Sequence, residues 1–301
     1  MEDYKSYFAK APKADVHNHL HLSGSQKRFF ELYPEAKIKF PKNYDGLPGM
    51  IDFIYSSLNS IMTTGEDVIN FMNISVQSSI DDGVTYLEAS VDTNLSRFFD
   101  GDYNAVINEV KRLKTEHKDQ ILFRPDIGIN KELPLDKVYE YGETFIDSGE
   151  FSGIDLYGNE AGKELSPFVD LFNTAKSKDI KTKVHIGEFS DAESIAQTIE
   201  LLEPEVIQHG INAVHSEKVM DMILERNIRL NICPESNLRL GAVNNLKTHP
   251  IRILFDKGIK VCVNTDDLIL FDATVSRQLI DLVEQGVFSF DEAEVIRKNG
   301  F

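Results

Sequence analysis

Eight short apolar segments rich in β-formers punctuate this chain, and stretches of amphipathic character separate most of them. The segments are 14–21, 85–91, 121–129, 153–157, 182–186, 206–209, 229–233 and 260–264, and helical spacing of apolar residues marks 103–114, 167–178, 192–202, 217–226 and 251–257. Such alternation predicts parallel strands in one sheet with helices outside it. The count of eight favours a closed (β/α)8 TIM barrel, and no Gly-x-Gly-x-x-Gly turn follows an early strand to suggest an open doubly wound sheet. The 301 residues suffice for one such α/β barrel, which typically takes ~250, so 1–301 reads as a single domain. The stretch 25–82 is too long for one crossover. It carries Pro41, Pro48 and Gly49 before a helix-like run over 50–80, which predicts a helical, lid-like insertion after strand 1. No internal repeat or low-complexity tract interrupts the pattern.

Charge narrows the partners. Thirty-two Lys and Arg stand against 49 Asp and Glu, a formal net charge of −17. A surface that acidic repels nucleic-acid polymers and anionic membranes, leaving a small molecule as the expected partner. No run approaches the ~18 apolar residues of a membrane span. The opening Met1-Glu2-Asp3-Tyr4-Lys5 is polar where a signal peptide is cationic and then apolar, so the expected location is cytoplasmic. Cys233 and Cys262 both sit in apolar runs and form no C-x-x-C, so they read as buried small hydrophobes, without a disulfide or a thiolate metal site.

Chemistry-bearing side chains gather at the ends of the predicted strands. His17 and His19 lie two apart in the first, and a period of two places both imidazoles on one side. His185 closes the fifth strand, His209 the sixth, and Asn264-Thr265-Asp266-Asp267 the eighth. In a (β/α)8 barrel the C-terminal strand ends form the active-site face, and the first and eighth strands are neighbours. Two imidazoles from strand 1, a third from strand 5 and a carboxylate from strand 8 make an N3O donor set suited to Zn2+ with a position left for water. Zinc lowers the pKa of bound water from 15.7 to ~7. Glu188, three residues beyond His185 and just past the strand end, is placed to act as a general acid or base beside such a metal.

These motifs resemble those of the adenosine deaminase family of the amidohydrolase superfamily. His17-Asn18-His19-Leu20 is similar to its H-x-H-L opening, and Gly153-Ile154-Asp155-Leu156-Tyr157-Gly158-Asn159-Glu160 to its G-I-D-L-x-G-x-E stretch. His185-Ile186-Gly187-Glu188, His209-Gly210, Cys233-Pro234-Glu235-Ser236-Asn237 and Asn264-Thr265-Asp266-Asp267 resemble its H-x-G-E, H-G, C-P-x-S-N and N-T-D-D motifs, in the same order. The resemblance spans about residues 13–270. It implies one Zn2+ per chain on His17, His19, His185 and Asp266, with Glu188 as proton shuttle and His209 holding the attacking hydroxide. Asp267 would bond the five-membered ring of a purine, and the Gly158 backbone the six-membered ring. The implied reaction is hydrolytic deamination of an adenine-type purine to the 6-oxo purine and ammonia.

Three departures stand out. Where the family reads H-x-H-L-D-G, this chain reads His17-Asn18-His19-Leu20-His21-Leu22-Ser23-Gly24, so the sugar-contacting Asp gives way to His21, or extra sequence is inserted. His21 and Ser23 therefore become the candidate contacts to the substrate end remote from C6. Asn159 replaces a second Asp, and the final helix over strands 1 and 8 looks shortened. Among the remaining residues, His117 reads as solvated after a Lys-rich helix, His249 as part of a helix entry, and Ser236-Asn237 as a turn or cap. Two rival readings remain open from sequence: a metal-dependent hydrolase of another small substrate in the same superfamily, and a non-catalytic purine-binding or interaction protein.

Overall fold

The computed structural model describes residues 4–160, 162 and 164–301. Its centre is one sheet of eight parallel strands in sequence order: β1 Lys13–Asp15, β2 Val84–Asp92, β3 Leu122–Asn130, β4 Gly153–Tyr157, β5 Lys181–Ile186, β6 Val206–His209, β7 Arg229–Ile232 and β8 Val261–Val263. Helices lie between successive strands, as parallel pairing requires. Among the described residues no helix is long and apolar enough to cross a membrane.

The first strand is far shorter than the expected 14–21, ending at Asp15. The seam between β8 and β1 explains why. There, side chains replace the regular ladder: the Asn264 Oδ1 accepts the Val16 N–H at 2.9 Å, and the Asp15 carboxylate accepts the N–H and hydroxyl of Thr265 at 3.2 and 2.5 Å. Beyond it the chain stays tethered by single bridges, Asn18 to Asp266 and His19 to Ser90. His17 and His19 thus lie past the strand end, and His21 falls in the short 3-10 helix Leu20–Leu22. Two helices, Val275–Glu284 and Phe290–Lys298, pack against β1 and β8, so this seam is well covered rather than thinly.

The helix-like run over 50–80 divides. Helix Gly46–Ser56 ends, a 3-10 turn Leu58–Ser60 follows, and helix Gly65–Asp81 starts anew. The break is written at Thr64, whose side chain accepts from the Asp67 N–H while the Asp67 carboxylate accepts from the Thr64 N–H, a reciprocal capping box. Helix Gly65–Asp81 packs on β2 and serves as the first crossover, leaving the shorter segment before it to lie over the strand ends.

Apolar side chains fill the space between sheet and helices, but the barrel interior carries a charged layer. Lys183, fully buried, donates to Glu88 Oε2 at 2.6 Å and to Asp126 Oδ2 at 2.5 Å. Gly153 makes room for it, because a Cβ there would stand 2.0 Å from Asp126 Oδ1. Lys183 and His185 are two apart on β5, so both point inward, one layer above the other. His117 departs from its expected solvated position: it caps helix Tyr103–Glu116 with a ring only 3 % exposed, tucked under the turn that leads to β3.

Candidate active site

The C-terminal ends of the strands surround a cavity of about 200 Å³. His19, His21, Gly158, His185, Glu188, His209, Asp266 and Asp267 all line it. His17 lies just beneath, buried, with its Nε2 3.1 Å from His185 Nε2 and 3.7 Å from Asp266 Oδ1, while His19 Nε2 lies 3.8 Å from the same oxygen. The four residues expected to share a metal therefore converge from positions up to 249 apart, as 17 and 266 are.

Their tautomers follow from their partners. His17 Nδ1 meets the Asn231 carbonyl at 2.9 Å and must donate to it, and His185 Nδ1 meets the Asp155 carboxylate at 3.1 Å and does the same. With one proton on each ring, the two Nε2 atoms face each other as bare lone pairs. Burial, with the Asp266 charge opposing and His185 adding to it, pushes His17 down to about 3, and burial followed by His185 also lowers His19. Neutral imidazoles whose lone pairs converge repel unless a cation lies between them, so the donor set fits a metal ion. Although burial alone would raise Asp155, the His185 ring beside it holds its carboxyl below the usual range, as befits a carboxylate that orients a ligating histidine.

Cys233 belongs to a second donor group with His17, His209 and Asp266, its Sγ 3.3 Å from His17 Nδ1. Burial, then the nearby carboxylates, pushes this thiol well above its ordinary value. Its Sγ lies at the Nδ1 edge of His17, whereas Nε2 of that ring faces His185, so Cys233 stands outside the group of His17, His19 and His185.

Glu188 sits on the turn after β5. Burial, then the charges of Asp266 and Glu160, pushes its carboxyl well above the usual range, the behaviour expected of an acid that must hold a proton near neutral pH. Asp267 is raised by burial and then by Asp266 and Glu188, and its Oδ1 has no partner among the described residues although it lines the cavity. His209 adopts a left-handed backbone at φ 66°, and burial keeps its ring neutral. Gly158 has φ 117°, a conformation that side chains rarely adopt, so glycine lets the backbone itself face the cavity.

At the remote end His21 lines the cavity with Nδ1 lacking a partner among the described residues, and burial pushes it down to about 3. Asn94 and Arg97 lie on the same wall, and Leu47, Met50, Ile51 and Ile54 of helix Gly46–Ser56 form an apolar roof. Ser23 does not share this placement. Its hydroxyl lies 2.9 Å from the His19 carbonyl and 3.1 Å from that of Asp266, outside the cavity lining, so it braces the backbone at the site instead of facing a ligand.

Several residues here hold the site in ways that the sequence does not assign to them. The Ser236 hydroxyl donates to Asp266 Oδ2 at 2.6 Å, and the Asn237 amide donates to Glu188 Oε1 at 2.6 Å; both residues lie inside helix Pro234–Arg239, so they are neither the turn nor the cap expected from sequence. Glu160 binds the backbone around Glu188. The only signal for them was their inclusion in motifs at strand ends.

Comparison with known proteins agrees with this geometry. The family model described as adenosine deaminase matches residues 12–301. The chain is 34 % identical over 290 residues to a Treponema pallidum (strain Nichols) protein bearing the name "Putative adenosine/adenine deaminase", covering 96 % of this chain and 97 % of that one. The crystal structure of adenine deaminase from Arthrobacter aurescens superposes with a TM-score of 0.85 at 24 % identity, covering 96 % of this chain and 92 % of that chain. A cog1816 amidohydrolase from Burkhoderia ambifaria with bound Zn gives 0.77 at 18 % identity, covering 98 % and 86 %. An eight-stranded parallel barrel, a convergent His and Asp cluster and a family match across nearly the whole chain lead to one conclusion: this protein is an aminohydrolase that belongs to the adenosine deaminase family.

Proposed function

We infer that the protein catalyses zinc-dependent hydrolytic deamination of an adenine-type purine. The observation that carries this reading is the convergence of Glu188, His209 and Asp267 on one cavity beside His17, His19, His185 and Asp266. Zinc fits the donors: bonds of ~2.0–2.1 Å at tetrahedral angles separate ligand atoms by roughly 3.3 Å; His17 lies 3.1 Å from His185 and 3.7 Å from Asp266, His19 lies 3.8 Å from Asp266, and nitrogens of the three imidazoles fall within 4.8 Å of one another. When bound, one zinc ion per chain would supply hydroxide at neutral pH by lowering the pKa of a water to ~7.

The chain's own residues account for the remaining steps. Glu188, protonated, delivers its proton to the purine N1 as oxygen adds to C6; the carboxylate left behind takes the proton of the new C6 hydroxyl and passes it to the amino group, so that the C6–N bond breaks, C6=O forms and ammonia departs. His209, neutral, holds the attacking oxygen through a ring N–H. Asp267 donates to the five-membered ring from its unpartnered edge, and the Gly158 backbone meets the six-membered ring.

The sugar end differs. His21 offers one donor and one acceptor where a carboxylate would only accept, and the roof above it is apolar. We therefore assign a preference for a substrate that departs from plain adenosine at the end remote from C6: a 5'-modified adenosine, a nucleotide or the free base. The test is kcat/KM for adenosine, 2'-deoxyadenosine, 5'-methylthioadenosine, AMP and adenine under one condition, with ammonia release as the readout. Turnover of at least one is expected, with adenosine not leading. A tenfold lead for adenosine, about 1.4 kcal/mol, would overturn the sugar-end assignment, and no ammonia from any of them would overturn the reaction.

A further inference from the structure

A chain of hydrogen bonds leads away from the cavity through two residues that touch no substrate. Ile251 N–H, at the start of helix Ile251–Asp256, meets His249 Nδ1 at 3.0 Å. A backbone N–H can only donate, so Nδ1 is an acceptor, and this buried ring, pushed down to about 3 by burial, is neutral and carries its proton on Nε2. Nε2 lies 3.2 Å from Asn237 Oδ1 and donates to it. That contact settles which way the Asn237 amide faces. Its Nδ2 is turned toward the site, where one proton goes to Glu188 Oε1 at 2.6 Å and the other points at His209 Nδ1, 3.3 Å away.

The direction of each bond is thus dictated from the helix start inward. Glu188 Oε1 is occupied as an acceptor, so the proton of the neutral acid belongs on Oε2, the oxygen on the His209 Nε2 side, 3.6 Å from that atom. His209, accepting on Nδ1, presents Nε2–H. We propose that His249 and Asn237 are positioning residues that fix the reacting oxygen of Glu188 and the tautomer of His209. Asn237 is fully buried on helix Pro234–Arg239, and neither it nor His249 lines the cavity. Without the histidine the amide is free to flip, and a flipped amide presents an oxygen to a carboxyl oxygen and a lone pair to a lone pair.

The proposal rests on Glu188 as proton shuttle, and the test separates the two. In the zinc-loaded full chain, kcat and KM are measured for Asn237→Ala, His249→Phe, His249→Gln and Glu188→Gln, with the two combinations of Asn237→Ala and His249→Phe with Glu188→Gln, alongside metal content and thermal melting. Asn237→Ala and His249→Phe should lower kcat by about 10- to 100-fold, the scale of a misplaced catalytic group, while KM and metal content change by less than about threefold. His249→Gln, which keeps an N–H donor but not the ring, should retain more kcat than His249→Phe, which keeps the ring but not the donor. In the Glu188→Gln background most of either loss should vanish, since the group being positioned is already disabled. Near-normal turnover by Glu188→Gln would overturn the shuttle and this proposal together. Undiminished kcat in His249→Phe, or a loss of equal size with and without Glu188, would overturn the proposal alone. His249→Phe lies farther from the metal and carries the test should Asn237→Ala not fold.

Discussion

The carboxylate of Glu160 accepts the backbone N–H of Glu188 on Oε1 at 3.0 Å, and its Oε2 accepts from the backbone of Gly187, Phe189 and Ser190 at 2.9, 3.1 and 2.8 Å and from the Ser190 hydroxyl at 2.6 Å. One side chain thereby holds the whole turn that presents the acid. Glu160→Gln would replace one of these acceptor oxygens with an NH2 group that can only face donors with a donor. We expect kcat to fall by about 10- to 100-fold, with a stability loss of about 1–3 kcal/mol from the unpaired groups. Steady-state kinetics with a urea titration check both, and unchanged kcat would show that the turn holds itself.

The converging lone pairs of His17 and His185 make a second expectation. His185→Ala should lose both bound zinc and activity, because it removes one of three imidazoles and leaves the Asp155 carboxylate without its partner. Wild-type protein should melt higher with zinc than after chelation, by RT ln(1 + [Zn]/Kd) in free energy. Elemental analysis of the variant decides: full metal occupancy removes His185 from the donor set.

Much of this arrangement was legible in the sequence, for a specific reason. His17, His185, His209 and Asp266 are each recognisable at a strand end, and barrel closure brings strand ends together whatever the loops do. His17 and His19 lie past the true end of β1 at Asp15 and still turn to one side, beside His185, because single bridges keep the chain extended through Asn18 and His19. What stayed hidden depends on contacts between elements. Lys183, Glu88 and Asp126 come from three strands, and nothing local marks them as mutually neutralising. Asn237 and His249 are 12 residues apart on different elements, so a hydrogen bond between their side chains has no periodic signature. The burial of His117 has no local signature either, since a Lys-rich helix end looks wet until the following turn is folded over it.

The Lys183 layer supports a prediction about stability. Burial alone would lower the Lys183 pKa, but Asp126 and Glu88 reverse this and hold the ammonium firmly charged. Lys183→Met leaves two carboxylates facing each other in the barrel interior with their shared partner gone. The loss should be about 3–5 kcal/mol, the range for breaking a buried ion pair from one side. A shift of the urea midpoint measures it, and an unmoved midpoint would mean that Lys181 and Arg229, which also approach Glu88, suffice.

Glu188→Gln should keep the fold and the metal while losing ~10²–10⁴ in turnover, the usual worth of an acid-base group. It carries a stability signature too. Because the folded protein raises this carboxyl, the folded state binds more protons than the unfolded chain above the unfolded value of about 4.3. The stabilisation is fully present below that value and is lost as pH rises through the folded pKa. The glutamine variant lacks this loss. In chelated protein its stability should therefore gain on wild type as pH rises above about 4.3, at up to ~1.4 kcal/mol per pH unit. A constant gap would show that Glu188 does not titrate late.

His21 tests the remote end of the cavity directly. Its neutral ring and the Arg97 guanidinium, which stands 4.5 Å over the Phe98 ring, line the same wall, so an anionic or bulky substituent meets no carboxylate at position 21. His21→Asp supplies one. An aspartate accepts a hydrogen bond from a 5'-hydroxyl and repels a 5'-phosphate, two effects that act in opposite directions on two substrates sharing one purine. The ratio of kcat/KM for adenosine to that for AMP should rise by at least tenfold, about 1.4 kcal/mol of transition-state discrimination. Adenine, lacking the sugar, serves as the internal control and should change far less. If all three substrates shift by one common factor, position 21 affects the purine subsite or the fold and does not read the sugar end.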